Sequence, residues 1–362
     1  MAVTTARTAT TRTVTEINRT AVLQALQVRG PLSRRQLVSA TGLSPATVER
    51  LCSALLREGL VARAGLDRSS GGRPSALMRF AGESRLVAAV EVTAAGARGQ
   101  LRDLDGATVH EESLPFDLAG GPGGSAPTAR LDGTLRTVDV LVERAAASGR
   151  RLLGVGLSVP GVVSGAGGTV TRTVELGWHE VALGQIVQAR TGLRTRVEND
   201  ANAVAYGEWS RGAAAGAESA AALVVGAGVG AGVVAGGEVL RGARSSAGEV
   251  GYLLTRTGAL GSYYADQGDL EQRLAAAPAG ERLDLLALAC AALCTVVDPQ
   301  VLVLAGALGA DAEHVAEELR ERLLGRVPSV PDLVGGALGA DAALTGVAEL
   351  TAREVRGLTY LA

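Results

Sequence analysis

Four short segments between residues 159 and 252 combine glycines, carboxylates and an amide, and together they could line a binding cleft. They are VPG at 159–161, ENDAN at 198–202, GAGVGAG at 226–232 and SAGEVGY at 246–252. In the second segment a carboxylate follows an apolar strand and precedes a helix, which would expose Asp200 at the edge of a lobe. One glycine-rich turn is a weak sign, because it can be a tight hairpin. Four such segments in this order are a strong one.

The elements around these segments form two successive units, each a sheet followed by helices. The first unit has predicted strands at 86–92, 101–105, 107–110, 153–159 and 195–198, with helices at 131–147 and 183–191. After a helix at 201–211, the second has strands at 220–226, 231–234, 238–240 and 301–305, with helices at 281–297, 311–325 and 341–354. This repetition predicts a duplicated two-lobed α/β body with a cleft between its lobes.

The segment from Leu32 to Val61, LSRRQLVSATGLSPATVERLCSALLREGLV, has the pattern of a helix-turn-helix. Ser33 and Gln36 have the spacing of a capping box at the start of one helix. Gly42 can adopt the left-handed conformation that a tight interhelical turn requires. Ser44, followed by a proline, is typical of the start of a second helix.

The second helix of this motif is predicted to present its N-terminal turns to the major groove of DNA. Val48, Leu51 and Leu55 recur on its other face and are expected in the core. Together with one arginine of the preceding helix, the residues predicted to contact DNA are Arg34, Ser44, Ala46, Thr47, Glu49 and Arg50.

The residues on either side complete the pattern of a winged domain. A preceding helix from Thr15, with Ile17, Val22, Leu23 and Leu26 on one side, should end at the Gly-Pro pair at 30–31. After the motif, short strands at 60–61 and 77–80 flank the loop SSGGRP, a predicted wing. Arg73 in that loop could enter a narrow minor groove, where the negative potential is strongest. A solvated loop charge is the alternative.

Charge is divided unevenly along the chain. Residues 1–80 contain 12 arginines and 4 acidic residues, a net charge of about +8, whereas the remaining residues carry about −10. A basic head on an acidic body indicates a polyanionic partner, here double-stranded DNA.

Composition argues against a membrane or secreted protein and against cysteine-based sites. No apolar run reaches the roughly 20 residues needed to span a bilayer, and the N-terminus lacks the apolar core of a signal peptide. We therefore expect a cytoplasmic protein without a membrane partner. The 3 cysteines include no Cys-x-x-Cys pair, which argues against a disulfide framework and a cysteine-rich zinc site. Cys290 and Cys294 are expected to be core residues.

The four segments, in this order and spacing, resemble the ROK family (repressors, open reading frames and sugar kinases), which shares the actin-like, hexokinase-like fold. VGLSVPG, ELGW (Glu175–Trp178), VENDANAVAYGEW, VVGAGVGAGVVAGGEVLRG and AGEVG match family segments. The head, with NRTAVLQAL before it and GGRP after it, resembles the regulator branch. The resemblance covers nearly the whole chain.

The implied fold is α/β: an N-terminal winged helix-turn-helix followed by a two-lobed ROK body. The predicted domains are a disordered arm at 1–13, the DNA-binding domain at 14–80, lobe 1 at 84–198 and lobe 2 at 199–362. The last helix is expected to pack back on lobe 1.

The resemblance also implies a ligand site. Asn199 and Asp200 match residues that bind sugar hydroxyls, and in the kinases this aspartate is also the general base. Glu249 and Glu271 match further sugar-binding carboxylates, the second within a Gly-Asp-Leu-Glu run where the family usually has Gly-Cys-Leu-Glu. Carboxylates and an amide would supply charge-assisted hydrogen bonds to vicinal hydroxyls. Tyr252 stands at the position of a zinc-binding histidine and could donate to a hydroxyl.

Departures from the family pattern argue against catalysis. The kinases' first phosphate loop, Asp-x-Gly-Gly-Thr, is EVTAAG at 91–96, so its glycines and its metal-associated aspartate are missing. Ala227 replaces a usual threonine of the second loop. The zinc-binding histidine and cysteines are absent, which should remove a sugar contact and the clamp for the loop that carries Glu271. We expect no kinase activity, no metal, no cofactor and a non-catalytic Asp200.

These features predict a DNA-binding transcriptional regulator, a repressor, controlled by a small-molecule effector that is a sugar or a sugar derivative. A single head buries too little surface for specific control, whereas two on a palindromic operator double the contacts. We therefore expect a homodimer or a dimer of dimers. Two alternatives stay open: a ligand-independent DNA-binding regulator with a vestigial cleft, and an active sugar kinase with an added DNA-binding head.

Overall fold

The N-terminal domain is built from three helices and a small antiparallel sheet. The computed structural model describes residues 11–67, 75–118, 125–264, 266–308 and 311–359. In the domain these form α1 (Thr11–Arg29), β1 (Leu32–Ser33), α2 (Arg34–Thr41), α3 (Pro45–Arg57), β2 (Val61–Asp67) and β3 (Ser75–Phe80). The strands pair in the order β1-β3-β2. This is a winged helix-turn-helix, as predicted.

Local hydrogen bonds set the ends of α2 and α3. The Ser33 hydroxyl accepts from the Gln36 amide at 3.4 Å, and the Gln36 side chain accepts from the Ser33 amide at 2.8 Å, which is the predicted capping box. Gly42 ends α2 with a φ of 70° in the left-handed region. The Ser44 hydroxyl then caps α3 by accepting from the Thr47 amide at 3.2 Å.

Two details of α1 differ from the sequence prediction. The helix begins at Thr11 rather than Thr15, so residues 11–13 of the predicted disordered arm are helical, and the rest of that arm lies outside the described residues. Ile17 is 57% exposed, whereas Val22, Leu23 and Leu26 are buried. The reason is geometric: at about 3.6 residues per turn, Ile17 lies on the opposite side of the helix from Leu26.

The capping box gives a stability prediction for the head. Ser33→Ala should destabilise α2 by about 1 kcal/mol, because it leaves the Gln36 amide of the first helical turn without its acceptor. Hydrogen exchange of the α2 amides in the full chain would measure this. Ser39→Ala is the matched control, since the exposed Ser39 hydroxyl donates to the Arg35 carbonyl at 3.3 Å rather than accepting from an amide of the first helical turn. Equal acceleration by both substitutions would contradict the assignment.

Lobe 1 has a five-stranded sheet and a separate three-stranded hairpin sheet. Its elements are β4 (Arg85–Val92), β5 (Gly96–Asp103), β6 (Thr108–Pro115), α4 (Ala126–Ala147), β7 (Arg151–Val159), β8 (Val162–Ser164), β9 (Thr169–Thr173), β10 (Trp178–Val181), α5 (Leu183–Thr191) and β11 (Arg194–Asn199). The main sheet has the order β11-β7-β4-β5-β6, and the small sheet has the order β10-β9-β8. The sequence does not predict the small sheet.

Lobe 2 repeats the main sheet of lobe 1. Its elements are α6 (Asp200–Arg211), β12 (Ser219–Val225), β13 (Val229–Ala235), β14 (Glu238–Val239), α7 (Asp269–Ala276), α8 (Ala279–Val296), β15 (Val301–Gly306), α9 (Ala312–Leu323), β16 (Asp332–Gly335) and α10 (Ala342–Thr359). The strand order is β14-β13-β12-β15-β16. Read from β16, it matches the order of lobe 1 read from β11: two parallel pairs are followed by two antiparallel pairs. The predicted fold class is confirmed.

Helices α6 and α10 pack closely against each other beside both sheets. A Cβ on Gly346 would lie 1.7 Å from the Ala203 carbonyl oxygen, and one on Gly207 would lie 2.3 Å from the Ala342 carbonyl oxygen. On the lobe 1 side, α10 contacts β7, where a Cβ on Gly156 would lie 2.3 Å from the hydroxyl of Thr351. The α10 helix of the second lobe thus also packs on the sheet of the first.

Two further observations concern segments singled out by composition. Across the described ranges, no helix combines the length and the apolar character that a membrane span requires. Cys52, Cys290 and Cys294 are all buried free thiols, so the predicted core role of the last two is confirmed.

Candidate functional site

The junction of β11 and α6 holds Asn199 and Asp200. The Asn199 side chain caps α6 by accepting from the Asn202 amide at 3.0 Å. Its amide nitrogen donates to the Gly161 carbonyl at 3.0 Å and to Asp200 Oδ1 at 3.0 Å. Asp200 Oδ1 also accepts from the Ala201 amide at 2.9 Å. These bonds fix the Asp200 carboxylate in one orientation at the start of the helix.

Gly161 connects the first of the four segments to this junction. It has a φ of 94°, and a Cβ there would lie 2.4 Å from the Arg172 carbonyl oxygen of β9. A side chain is therefore excluded by both backbone conformation and space. The close approach of the turn to β9 places the Gly161 carbonyl where Asn199 can bond to it.

Asp200 is only partly exposed, and burial raises its pKa to about 7. The nearby carboxylates of Glu175 and Glu249 contribute to this raised pKa, because a second negative charge close by disfavours ionisation. Glu175 was not among the predicted ligand residues, although it begins the ELGW segment. Its charge acts on Asp200, so Glu175 lies near the junction of β11 and α6.

Two more predicted carboxylates lie together on the lobe 2 side. Burial raises the pKa of Glu249, and burial together with the charge of Glu249 raises the pKa of Glu271. A Cβ on Gly228 would lie 2.5 Å from Glu271 Oε1, and one on Gly251 would lie 3.3 Å from Oε2. The Glu271 carboxylate therefore sits against the backbone of both glycine-containing segments.

The third and fourth segments are also joined by their backbones. The Ala231 amide donates to the Gly248 carbonyl at 2.8 Å, and a Cβ on Gly248 would lie 1.8 Å from the Ala231 carbonyl oxygen. Tyr252 follows on a 3-10 turn and is 41% exposed. The structure thus brings the sequence segments together. The negative charge of Glu249 raises the pKa of both Glu271 and Asp200.

The residues predicted to contact DNA lie at the N-terminal end of α3 and on α2. Arg34 Nε is 2.9 Å from Glu49 Oε2, so these two are an ion pair in the free protein. The Ser44 and Thr47 hydroxyls are 2.9 Å apart. Ala46 and Arg50 are exposed. The wing residue Arg73 lies outside the described residues.

Comparison with protein families decides the relationship. Residues 87–277 match the ROK family model, and residues 16–62 match a winged helix-turn-helix DNA-binding model. The chain belongs to the ROK family.

Among its ROK relatives, a putative xylose repressor of Caldicellulosiruptor sp. (strain Rt8B.4) is 30% identical over 240 residues, which cover 66% of this chain and 59% of the relative. The Bacillus subtilis (strain 168) xylose repressor is 26% identical over 240 residues, covering 66% of this chain and 61% of the relative. The chain thus spans about three fifths of the length of these curated relatives.

A solved structure extends the likeness over nearly the full chain. A ROK family transcriptional regulator, described as a homologue of the E. coli MLC protein, superposes with a TM-score of 0.75 at 18% identity, covering 96% of this chain and 99% of that one. At this identity the match shows the fold, including the head attached to a two-lobed body.

The zinc site of ROK proteins does not fit this chain. Tyr252 stands where the histidine is expected, and Asp269 stands at a cysteine position with its carboxylate already hydrogen-bonded to Thr255 and Tyr264. Within the described ranges, no cluster of three or more His, Cys, Asp or Glu side chains could hold a metal ion.

The region of the kinases' first phosphate loop is occupied by an ion-pair network. Glu91, at the position of the metal-associated aspartate, is 3.4 Å from Arg98, and burial raises the pKa of this carboxyl. Arg98 reaches across to Asp341 at 3.0 Å and donates to the Ala340 carbonyl, just before α10. The Glu91 side chain therefore already has a cationic partner from the protein.

Proposed function

We propose that this chain is a DNA-binding transcriptional repressor whose two-lobed body binds a small-molecule effector, a sugar or a sugar derivative. The observation that carries the proposal is the winged helix-turn-helix attached to a ROK body, with the N-terminal end of α3 exposed. Relatives named xylose repressors support the same combination. The proposed place of action is the cytoplasm, where such a head would meet DNA.

The chemistry of the cleft supports a polyhydroxylated effector. Asp200, at the start of α6, and Glu249 and Glu271 offer acceptors, and the exposed Tyr252 offers a donor. Carboxylates form strong charge-assisted hydrogen bonds to hydroxyl groups. Because of the names of the relatives, D-xylose is the first effector to test, followed by other pentoses, hexoses, amino sugars and glycosides.

Two copies of the chain would bind a palindromic operator as a homodimer or a dimer of dimers. Effector binding between the lobes would favour one arrangement of the lobes and change the spacing of the two heads. An effector can shift this equilibrium only as far as it prefers one arrangement to the other. Lower operator affinity in the presence of sugar is the expected consequence.

Sugar kinase activity is the second candidate, favoured by the likeness to ROK kinases. A ROK hexokinase from Thermus thermophilus superposes with a TM-score of 0.60 at 27% identity, covering 75% of this chain and 99% of that one. Against catalysis, the Glu91–Arg98 pair stands where a kinase needs a free metal-associated carboxylate. We therefore propose that Asp200 binds ligand without acting as a base, and ATP turnover with a panel of sugars should be absent.

The decisive experiment selects DNA from a random library with the full-length protein and then measures operator binding by gel shift, with and without each sugar. Specific binding weakened by a sugar supports the proposal. Specific binding that no sugar changes, with no thermal shift, would indicate a ligand-independent regulator, since ligand at about 100 times its dissociation constant should add about 2.7 kcal/mol of stability. No preferred sequence would overturn the DNA-binding function.

A further inference from the structure

The segment from Leu253 to Gly268 connects the turn of Tyr252 to α7, the helix that carries Glu271. It is the segment in which the zinc ligands are missing. Instead, residues of the segment donate hydrogen bonds to a buried carboxylate, that of Asp269. Asp269, the first residue of α7, is 2% exposed.

Three hydrogen bonds converge on the Asp269 carboxylate. Oδ2 accepts from the Thr255 amide at 2.8 Å and from the Thr255 hydroxyl at 2.5 Å. Oδ1 accepts from the Tyr264 hydroxyl at 2.9 Å. The Thr255 oxygen accepts in turn from Arg273 Nη1 at 2.7 Å, so the hydroxyl both donates and accepts. These four side chains, the Asp269 hub, join both ends of the connecting segment to α7.

The hub is adjacent to a close backbone contact between α7 and the ligand-side turn. The Leu270 amide donates to the Leu253 carbonyl at 3.1 Å. A Cβ on Gly268 would lie 2.2 Å from the Gly251 carbonyl oxygen and 2.3 Å from Tyr252 Cα. One helical position beyond Leu270, the Glu271 carboxylate lies against Gly228 and Gly251. The position of Glu271 therefore depends on how α7 is held against this turn.

We propose that the Asp269 hub is a metal-free clamp that positions Glu271 for the effector, with Asp269 as the positioning residue. This clamp does by hydrogen bonding what the absent zinc site cannot do in this chain. The role in effector binding rests on the proposed function, whereas the clamping of the loop and of Glu271 does not.

The hydrogen bonds also have the chemistry of a stable buried carboxylate. They favour the ionised form and hold the Asp269 pKa below its usual value, with the Thr255 hydroxyl as the largest cause. Arg273, which bonds to Thr255, places a positive charge at the edge of the hub and is itself paired with Glu281 at 2.5 Å. A buried carboxylate with donors and a neighbouring cation needs no metal to be stable.

The experiment compares four substitutions in the full chain by hydrogen exchange and by carbodiimide labelling of carboxylates. Asp269→Ala removes both oxygens that accept the three hydrogen bonds. Asp269→Asn is the conservative rescue, since its oxygen can still accept from Thr255, and Tyr264→Phe removes one donor. Asp266→Ala is the matched control, an exposed aspartate of the same segment that pairs with Arg172 of lobe 1.

For Asp269→Ala we expect at least about tenfold faster exchange of the Thr255 and Leu270 amides and several-fold greater labelling of Glu271, because losing hydrogen bonds to a charged group costs about 1.5–3 kcal/mol. Asp269→Asn and Tyr264→Phe should fall between this variant and the wild type. Asp266→Ala should leave both readouts unchanged, and labelling of Glu313 in α9 should stay constant throughout.

Treatment with a zinc chelator should change neither readout in the wild-type protein. Unchanged Glu271 labelling in Asp269→Ala, or loosening of the wild-type segment by the chelator, would overturn the clamp. Failure of every sugar to bind the wild type would instead overturn the effector proposal without affecting the test of the clamp. If a sugar binds, its affinity should fall in the same order as Glu271 becomes accessible.

Discussion

Asp200→Asn is expected to weaken effector binding by on the order of 10- to 100-fold at pH 8. The substitution keeps the shape of the side chain and removes its negative charge, and hydrogen bonds to charged groups are worth about 1.5–3 kcal/mol. The remaining Asp200 bonds, from Asn199 and the Ala201 amide, hold the side chain in place. Calorimetric titration with the sugar found in the operator assay would measure the loss.

The same residue should make effector binding depend on pH. Because burial raises the Asp200 pKa to about 7, the group is largely protonated at pH 6 and largely ionised at pH 8. A hydroxyl-donating ligand prefers the ionised form, so affinity should rise about tenfold between these values and then level off. Asp200→Asn should remove this dependence. A wild-type affinity that falls with rising pH would contradict the assigned role.

The raised pKa also has a consequence for stability in the absence of ligand. A carboxyl that binds its proton more tightly in the folded state opposes folding as the pH rises from about 4, its value in the unfolded chain, towards 7. Asp200→Asn should therefore increase stability at pH 8 while it weakens ligand binding. Asp139→Asn is the matched control, since Asp139 forms a surface pair with Arg190 and should do neither. Urea unfolding at pH 6 and pH 8 would measure the stability of the two variants.

The helix ends of the N-terminal domain can be predicted from its sequence because they depend on local hydrogen bonds. Ser33, Gln36, Gly42 and Ser44 act on backbone groups within four residues, so their effect does not depend on the rest of the fold. The main strands of both lobes are likewise predictable from buried apolar runs. The small sheet of β8, β9 and β10 is not, because its strands have only three to five residues each.

The Asp269 hub and the role of Glu175 could not be predicted from the sequence, because they depend on contacts between residues that are not neighbours in the chain. Thr255 and Tyr264 lie 14 and 5 residues from Asp269, and nothing in their types marks them as donors to one carboxylate. The sequence indicates only that zinc ligands are missing, whereas the structure shows a hydrogen-bonded hub in this segment, which we propose as the clamp in place of zinc. Glu175 is brought near Asp200 by the path of the chain through the small sheet. The roles of Asn199, Asp200, Glu249, Tyr252 and Glu271 in ligand binding stay predictions.

Arg50→Ala should weaken binding to the selected operator by about 1–3 kcal/mol, with the loss confined to one base-pair position. Arg50 is exposed near the N-terminal end of α3, the end that faces the bases in a helix-turn-helix. Gel shifts against the operator and its single-base variants would show whether the mutant has lost discrimination at one position. Arg73→Ala, in the loop predicted to be the wing, should instead weaken binding to all sequences evenly.

Arg57→Ala is the matched control for Arg50→Ala, because Arg57 is an exposed arginine of the same helix in its last turn. It changes the charge of the head by the same amount, but at the end of α3 that we expect to be turned away from the bases. Its effect should be small, similar on specific and random DNA, and reduced by salt, since only general attraction to phosphates is lost. Equal loss on operator and random DNA for both variants would refute base recognition by Arg50, and a larger specific loss for Arg57 would reverse the proposed orientation of α3 in the groove.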